Sequence, residues 1–172
     1  MLVPGFTQTA ASWAGVAEIV AASCDTIAVD VPARETIAST VNAIAKRGNR
    51  GVYVGYSMGG RLTLRLALDR PDVVRALVLV SSSPGIANPE ERAARVAADE
   101  ALAQSIARVG VNAFIDEWLA QPLFAGVPTD ASGVADRKAL GVREGLLELG
   151  RQLVEAHGGR KARLGILSLG WD

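Results

Sequence analysis

One serine stands in a pattern that can hold a reactive hydroxyl group, Gly55-Tyr56-Ser57-Met58-Gly59. The β-branched run Gly51–Tyr56 predicts a strand before it, and apolar residues at helical spacing predict a helix over Met58–Leu68. A sharp turn from strand to helix raises a serine above a sheet, and small residues two positions away on each side prevent a clash. We therefore interpret Ser57 as a candidate nucleophile or base. The alternative is a glycine-rich turn that binds nothing.

Two backbone amides are candidates for stabilising an oxyanion near this serine. The amide of Met58 lies at a predicted helix N-terminus, where the partial positive charge favours an anion. A second donor normally comes from the loop after an earlier strand, and Leu2–Thr9 is the candidate segment, with the amide of Phe6 as the donor. A generic Pro-Gly turn is an equally good interpretation of that segment.

The elements around this motif alternate between strand and helix. Short, nearly continuous apolar runs predict strands at Asp25–Val31, Gly51–Tyr56 and Arg75–Val80. Apolar residues at helical spacing predict helices at Ala14–Ala22, Glu35–Lys46 and Met58–Leu68. This alternation predicts an α/β fold with a parallel sheet and crossover helices. We assign residues 1–85 to this core.

The pattern becomes wholly helical after the third predicted strand. Asn88-Pro89-Glu90-Glu91 combines an N-cap, a proline and acids in the order typical of a helix start. Residues 86–138 are therefore predicted to form a helical lid over the carboxyl edge of the sheet. Residues 139–172 are helix-prone and of uncertain assignment, with one weak strand candidate at Leu164–Leu169. We expect the C-terminal core strands to be missing.

Composition narrows the class of protein and of partner. The 172 residues fit one domain, and 18 basic residues balance 18 acidic ones, so nucleic acid is not an expected partner. The single cysteine, Cys24, cannot form an internal disulfide or a zinc site, which favours a reducing compartment and the cytoplasm. Neither a signal peptide nor a membrane span is predicted. No metal or cofactor is expected.

Five segments of the sequence resemble those of a known family. They are Pro4–Thr9, Gly55–Arg61, Ser81–Gly85, Glu91–Arg95 and Phe114–Phe124. Together they resemble one branch of the α/β-hydrolase superfamily, the 2-succinyl-6-hydroxy-2,4-cyclohexadiene-1-carboxylate synthases of menaquinone biosynthesis. The resemblance extends from about Leu2 to Arg137. The Gly55–Gly59 motif, a nucleophile elbow, is typical of the whole superfamily, and the segments within the predicted lid indicate this branch.

The resemblance implies an α/β-hydrolase fold and a reaction in which proton abstraction expels pyruvate from a carboxylate-rich cyclohexene. Ser57 would be the activated base, and the amides of Phe6 and Met58 would hold the oxyanion. Substrate contacts would come from Arg61 and Arg95, with Arg137 as a weaker match, and from Tyr56 and Trp118 as pocket wall. The implied partner is a small anionic substrate, with no cofactor.

The residues support these roles unevenly. Arg61 lies in the first turn of its helix, where a cation opposes the macrodipole, so a bound anion would offset the mismatch. A solvent-facing arginine is the alternative. Arg95 and Arg92 lie three residues apart, as in a solvated charged stripe. Trp118 follows Phe114 by four residues, and most such pairs belong to a core.

The sequence also departs from the family pattern. Pro4 stands where the family usually has a histidine, and neither His157 nor Asp172 is a convincing match to the superfamily's later histidine and acid. A fragmentary chain, a frameshifted end and an inert relative all remain open. The function is accordingly left between a pyruvate-eliminating enzyme, a serine esterase or other hydrolase, and an inert binding or assembly protein. Uncovered sheet surface predicts a homo-oligomer or poor stability.

Overall fold

The sheet of this protein consists of parallel strands in chain order. The computed structural model describes residues 1–32, 36–128, 130–131, 133–144 and 168–169. Four strands pair in the order β1 (Leu2–Val3), β2 (Gly51–Tyr56), β3 (Val74–Val80) and β4 (Ser168–Leu169). Each neighbouring pair is parallel. This confirms the predicted parallel sheet, with β2 matching its predicted range.

The segment Asp25–Val31 does not form the predicted strand. It contributes an isolated parallel bridge between Ala28 and Leu2. The amide of Leu2 donates to the carbonyl of Ile27 at 2.8 Å, and the amide of Val29 donates to the carbonyl of Leu2 at 3.1 Å. Because β1 is only two residues long, Asp25–Val31 cannot form a longer ladder with it. The segment has the composition of a strand, but the neighbouring strand is too short to pair with all of it.

Helices join the strands and follow the third one. They are α1 (Ala14–Val20), α2 (Ile37–Arg47), α3 (Met58–Asp69), α4 (Pro89–Val109), α5 (Val111–Leu119) and α6 (Val134–Glu144), with 3-10 turns at Ala10–Trp13 and Pro122–Phe124. None of the helices in the described part of the chain is both long and apolar enough to cross a membrane.

Side-chain caps set where two of these helices begin. Thr36 caps α2, because its hydroxyl accepts from the amide of Ser39 at 3.1 Å while the Ser39 hydroxyl accepts from the amide of Thr36 at 3.2 Å. The Asn88 side chain caps α4 by accepting from the amides of Glu90 and Glu91 at 2.8 and 3.2 Å. The predicted start of the long helix is thereby confirmed.

One apolar cluster connects the sheet with helices from both halves of the chain. Its members include Val3, Tyr53 and Leu66 from the core elements and Ile106, Phe114 and Ile115 from α4 and α5. All of these side chains are buried. Helices α4 and α5 thus pack into the same core as the sheet.

Strand β4 extends the sheet beyond β3. Leu79 lies opposite Ser168, and Val80 lies opposite Leu169. Ser168 and Leu169 are the end of the weak strand candidate Leu164–Leu169, and they form a strand of two residues.

Candidate functional site

Ser57 occupies the turn between β2 and α3 in a strained backbone conformation. Its φ and ψ are 52° and −114°, in the region that favours glycine. The Ser57 amide donates to the carbonyl of Val80 at 2.9 Å, and its carbonyl accepts from the hydroxyl of Ser82 at 2.8 Å. Backbone and side chain from the end of β3 therefore hold this serine in place, as the elbow motif predicted.

The two glycines of the motif are required by close approach. A Cβ atom at Gly55 would lie 2.5 Å from both the carbonyl oxygen of Gly59 and the hydroxyl of Thr63. A Cβ atom at Gly59 would collide with the backbone carbonyls of Val3 and Pro4. The second contact shows that the start of α3 lies directly against the end of β1 and the loop that follows it.

That loop is folded on itself beside the elbow. The amide of Gly5 donates to the side-chain oxygen of Gln8 at 3.0 Å, and the amide of Gln8 donates to the carbonyl of Gly5 at 3.2 Å. The ring of Tyr56 packs against Gly5. The structure thus brings the segments that carry the amides of Phe6 and Met58 together. Their role as an oxyanion hole stays a prediction.

Backbone strain is concentrated at this edge of the sheet. Among the described residues, the non-glycine residues with positive φ are Thr7, Ser57 and Ser81, at 66°, 52° and 48°. They follow the carboxyl ends of β1, β2 and β3, which lie side by side. Strained conformations of this kind cluster at functional sites, and open parallel sheets bind ligands beyond their carboxyl ends. This edge is therefore the candidate site.

The charges of Arg61, Arg95 and Asp99 act on one another at this edge. Arg61, in the first turn of α3, has its pKa lowered by burial and by the nearby charge of Arg95, while the carboxylate of Asp99 acts in the opposite direction. Arg95 Nε donates to the Asp99 carboxylate at 2.9 Å. Arg61 is half-buried, which disfavours the interpretation as a plain solvent-facing arginine.

Asp99 was not singled out from the sequence, although a signal was present. It lies four residues after Arg95 and is followed at the same helical spacing by Ala103 and Ile106. All three of Asp99, Ala103 and Ile106 are buried. An acid that continues an apolar stripe of a helix, four residues from an arginine, thus indicates a buried ion pair.

An aromatic cluster closes one side of the site. Phe6 meets Trp118 and Phe114 edge to face, with ring centroids 5.4 and 6.3 Å apart, and Phe114 and Trp118 stack at 5.8 Å. The indole nitrogen of Trp118 is buried and has no hydrogen-bond partner among the described residues. Trp118 therefore belongs to a packed aromatic cluster, and its role as pocket wall stays a prediction.

Arg137 reaches the same edge from α6. Its guanidinium donates to the hydroxyl of Thr7 and lies 6.0 Å from the centre of the Phe124 ring. Burial lowers the pKa of Arg137, and Tyr56 is close enough to oppose that shift. The weakest of the predicted substrate contacts is thus placed beside Tyr56 and the loop after β1.

The residues considered as activating partners of Ser57 lie elsewhere in the chain. His157 and Asp172 lie outside the described residues. Within the residues that the structure describes there is no histidine, and no group of three or more His, Cys, Asp or Glu side chains gathers as metal ligands.

Comparison with known proteins agrees with this geometry. Over 72 residues the chain is 46% identical to a putative 2-succinyl-6-hydroxy-2,4-cyclohexadiene-1-carboxylate synthase of Bacillus subtilis (strain 168). This match covers 42% of this chain and 26% of that relative. Over 77 residues it is 35% identical to the synthase of the same name from Escherichia coli O1:K1, covering 45% of this chain and 31% of the relative. The matched part is thus less than a third of either relative's length.

Fold and family are supported over a longer range. The solved structure of MenH from S. aureus superposes with a TM-score of 0.73 at 21% identity, covering 91% of this chain and 66% of that one. The profile of the alpha/beta hydrolase family matches residues 1–163. With the elbow, the parallel sheet and the strained serine in place, the chain belongs to the α/β hydrolase family.

Proposed function

We propose that this chain carries the elbow, oxyanion hole and anion-binding wall of an enzyme that eliminates pyruvate from a carboxylate-rich cyclohexene in menaquinone biosynthesis. The observation that carries the proposal is the gathering of Arg61, Arg95 and Arg137 at the edge that holds Ser57. Burying cations is costly unless anions compensate them. Because the chain has no excess of basic residues, this gathering is a local feature, and a polyanionic substrate would offset its cost. The similarity to the two synthases supports the same substrate class.

In the proposed reaction Ser57, once deprotonated, removes a proton from the substrate ring. The amides of Phe6 and Met58 stabilise the negative charge that develops on oxygen. Collapse of that charge breaks the C–O bond to the enolpyruvyl group, and the departing enolpyruvate takes up a proton and tautomerises to pyruvate. In this scheme a general base deprotonates Ser57, and the described residues include no histidine for that role.

The surrounding residues bind and enclose the substrate in this proposal. Arg61 and Arg95 face its carboxylates, Arg137 adds a third cation, and Tyr56 and Trp118 form the wall. Residues 86–138 act as a lid that excludes water from the reacting atoms. The exposed free thiol of Cys24 suits a reducing compartment, so we place the reaction in the cytoplasm.

Pyruvate release is the direct test. We expect the purified chain to release pyruvate from the pathway intermediate and to leave p-nitrophenyl acetate unchanged. Ser57→Ala removes the reacting hydroxyl and is expected to lower the rate by about a thousandfold or more. Ser83→Ala, at an exposed serine in the loop after β3, is the matched control and should keep the wild-type rate.

The other outcomes separate the alternatives. Ester cleavage without pyruvate release would identify a serine hydrolase instead. Equal rates for wild type and Ser57→Ala would remove the serine from the mechanism. An inert relative would bind the diacid product 2-succinyl-6-hydroxy-2,4-cyclohexadiene-1-carboxylate without converting the intermediate.

A further inference from the structure

A buried carboxylate lies beside two arginines at the candidate site. Asp99 of α4 is only 4% exposed, and it lies among the residues of that helix that pack into the core. Its carboxylate accepts from Arg95 Nε at 2.9 Å, and its charge also acts on Arg61 of α3. Ionised side chains are rarely buried to this extent unless they are paired.

Packing alone does not account for an acid at this position. The buried stripe of α4 continues with Ala103 and Ile106, and an apolar residue at position 99 would extend it at lower desolvation cost. A buried apolar side chain stabilises a core by its packing, whereas a buried carboxylate stabilises it chiefly through the cations that it contacts. The role of Asp99 therefore depends on its arginine neighbours.

The two arginines need such a partner. They are close enough to each other for the charge of Arg95 to lower the pKa of Arg61, so without a compensating anion they repel. The hydrogen bond to Asp99 restrains the Arg95 guanidinium through Nε, a nitrogen other than the two that form its terminal edge. That edge is the one that binds a carboxylate through two parallel hydrogen bonds.

We infer that Asp99 is a positioning residue that holds Arg61 and Arg95 together as one binding element for a substrate carboxylate. The inference rests on the proposed function for the identity of the anion, but the arrangement of the arginines is a property of the ligand-free protein. Asp99 touches no reacting atom in this scheme and acts through the two arginines.

Calorimetric titration with 2-succinyl-6-hydroxy-2,4-cyclohexadiene-1-carboxylate measures the effect on binding without turnover. Asp99→Asn keeps the shape and removes the charge, and is expected to weaken binding by about tenfold or more. In the pyruvate assay KM should rise by a similar factor, with kcat changed by less than about threefold. Asp99→Glu restores the carboxylate and should recover most of the affinity. Glu100→Gln, the same charge change on the exposed face of α4, should bind as wild type.

Solvent exchange of the Arg95 Nε–H, followed by nitrogen-15 NMR and assigned by its loss in Arg95→Lys, tests the positioning itself. We expect slow exchange in the wild type and in Glu100→Gln, and exchange at least about tenfold faster in Asp99→Asn. This readout needs neither ligand nor activity, and fast exchange in the wild type alone would overturn the inference even if Asp99→Asn did not fold.

The two hypotheses fail in different ways. Slow exchange that depends on Asp99, in a protein that releases no pyruvate, would retain the role of Asp99 and reject the proposed reaction. Pyruvate release with equal product affinity and equal Arg95 exchange in wild type and folded Asp99→Asn would reject the role of Asp99 and retain the reaction.

Discussion

At the scale of single residues, the position of Ser57 depends on neighbours that have no side chain. The turn from β2 into α3 is so tight that the backbone of Gly59 reaches the Cβ position of Gly55. Gly59 in turn lies against the carbonyls of Val3 and Pro4, which brings the loop after β1 to the serine. The strain at Ser57 is thus maintained by backbone packing on both sides.

Substitution of Gly55 tests this packing. Gly55→Ala would place a methyl group 2.5 Å from a carbonyl oxygen, so we expect a loss of about 1–3 kcal/mol in the free energy of unfolding. Gly51, at the other end of β2, has open space where its Cβ would lie. Gly51→Ala should therefore change the stability by no more than about 0.5 kcal/mol. Urea denaturation of both variants provides the comparison, and equal losses would contradict the packing argument.

Much of the site at this scale could be predicted from the sequence. The spacing of Gly55, Ser57 and Gly59 reflects a steric requirement that can be recognised from the sequence alone. The structure confirms the strained backbone of the serine. Asp99 was missed because its position in the apolar stripe of α4 becomes significant only together with its burial, which the structure shows. The arginines were identified through family resemblance, and the action of their charges on one another became visible only in three dimensions.

At the scale of elements, a contact between Arg137 and Thr7 ties α6 to the loop after β1. The partners are 130 residues apart in the chain, and both side chains are buried. A second tie joins the neighbouring residue of α6, Lys138, to Asp116 of α5 at 2.8 Å, with the carboxylate mostly exposed. The two contacts differ in burial and therefore in how much water competes with them.

Breaking each tie should show that difference. Thr7→Val keeps the shape but removes an acceptor from a buried guanidinium, with an expected loss of about 1–3 kcal/mol in unfolding free energy. Lys138→Met breaks the exposed pair and should cost less than about 1 kcal/mol. Thermal melting of the two variants decides the matter. A smaller loss for Thr7→Val than for Lys138→Met would show that the buried contact does not stabilise α6.

Elements were predictable wherever their signals are local. The range Gly51–Tyr56 and the start of α4 follow from strand composition and from an N-cap followed by proline, and both agree with the structure. The expected strand Asp25–Val31 is wrong because strand formation depends on a partner, and β1 offers two residues. Pairing is a property of two segments, so composition of one segment could not settle it.

At the scale of the whole molecule, apolar surface remains open to solvent. Ile27, in the segment that bridges to β1, is 46% exposed, and Val52 of β2 is 43% exposed. No strand covers the outer side of residues 27–29 in the part of the chain that the structure describes. An uncovered segment beside a sheet favours pairing with another copy.

We therefore expect concentration-dependent self-association in sedimentation velocity. Ile27→Lys places a charge on the uncovered segment and should weaken association by about tenfold or more in Kd. Ile19→Lys is the control, because it makes the same change on the exposed surface of α1, where Ile19 is 80% exposed. A strictly monomeric wild type, or equal effects of the two lysines, would argue against association through this segment.

The left-handed backbone at Thr7, Ser57 and Ser81 has a consequence for how such a sequence responds to selection. Glycine at position 57 or 81 would relieve up to about 1 kcal/mol of conformational strain, whereas at position 7 it would also remove the hydroxyl that accepts from Arg137. A search for heat-resistant variants would therefore be drawn toward glycine at positions 57 and 81. At position 57 that same change deletes the hydroxyl group. Under the proposed mechanism, stability and activity would thus favour different residues at position 57.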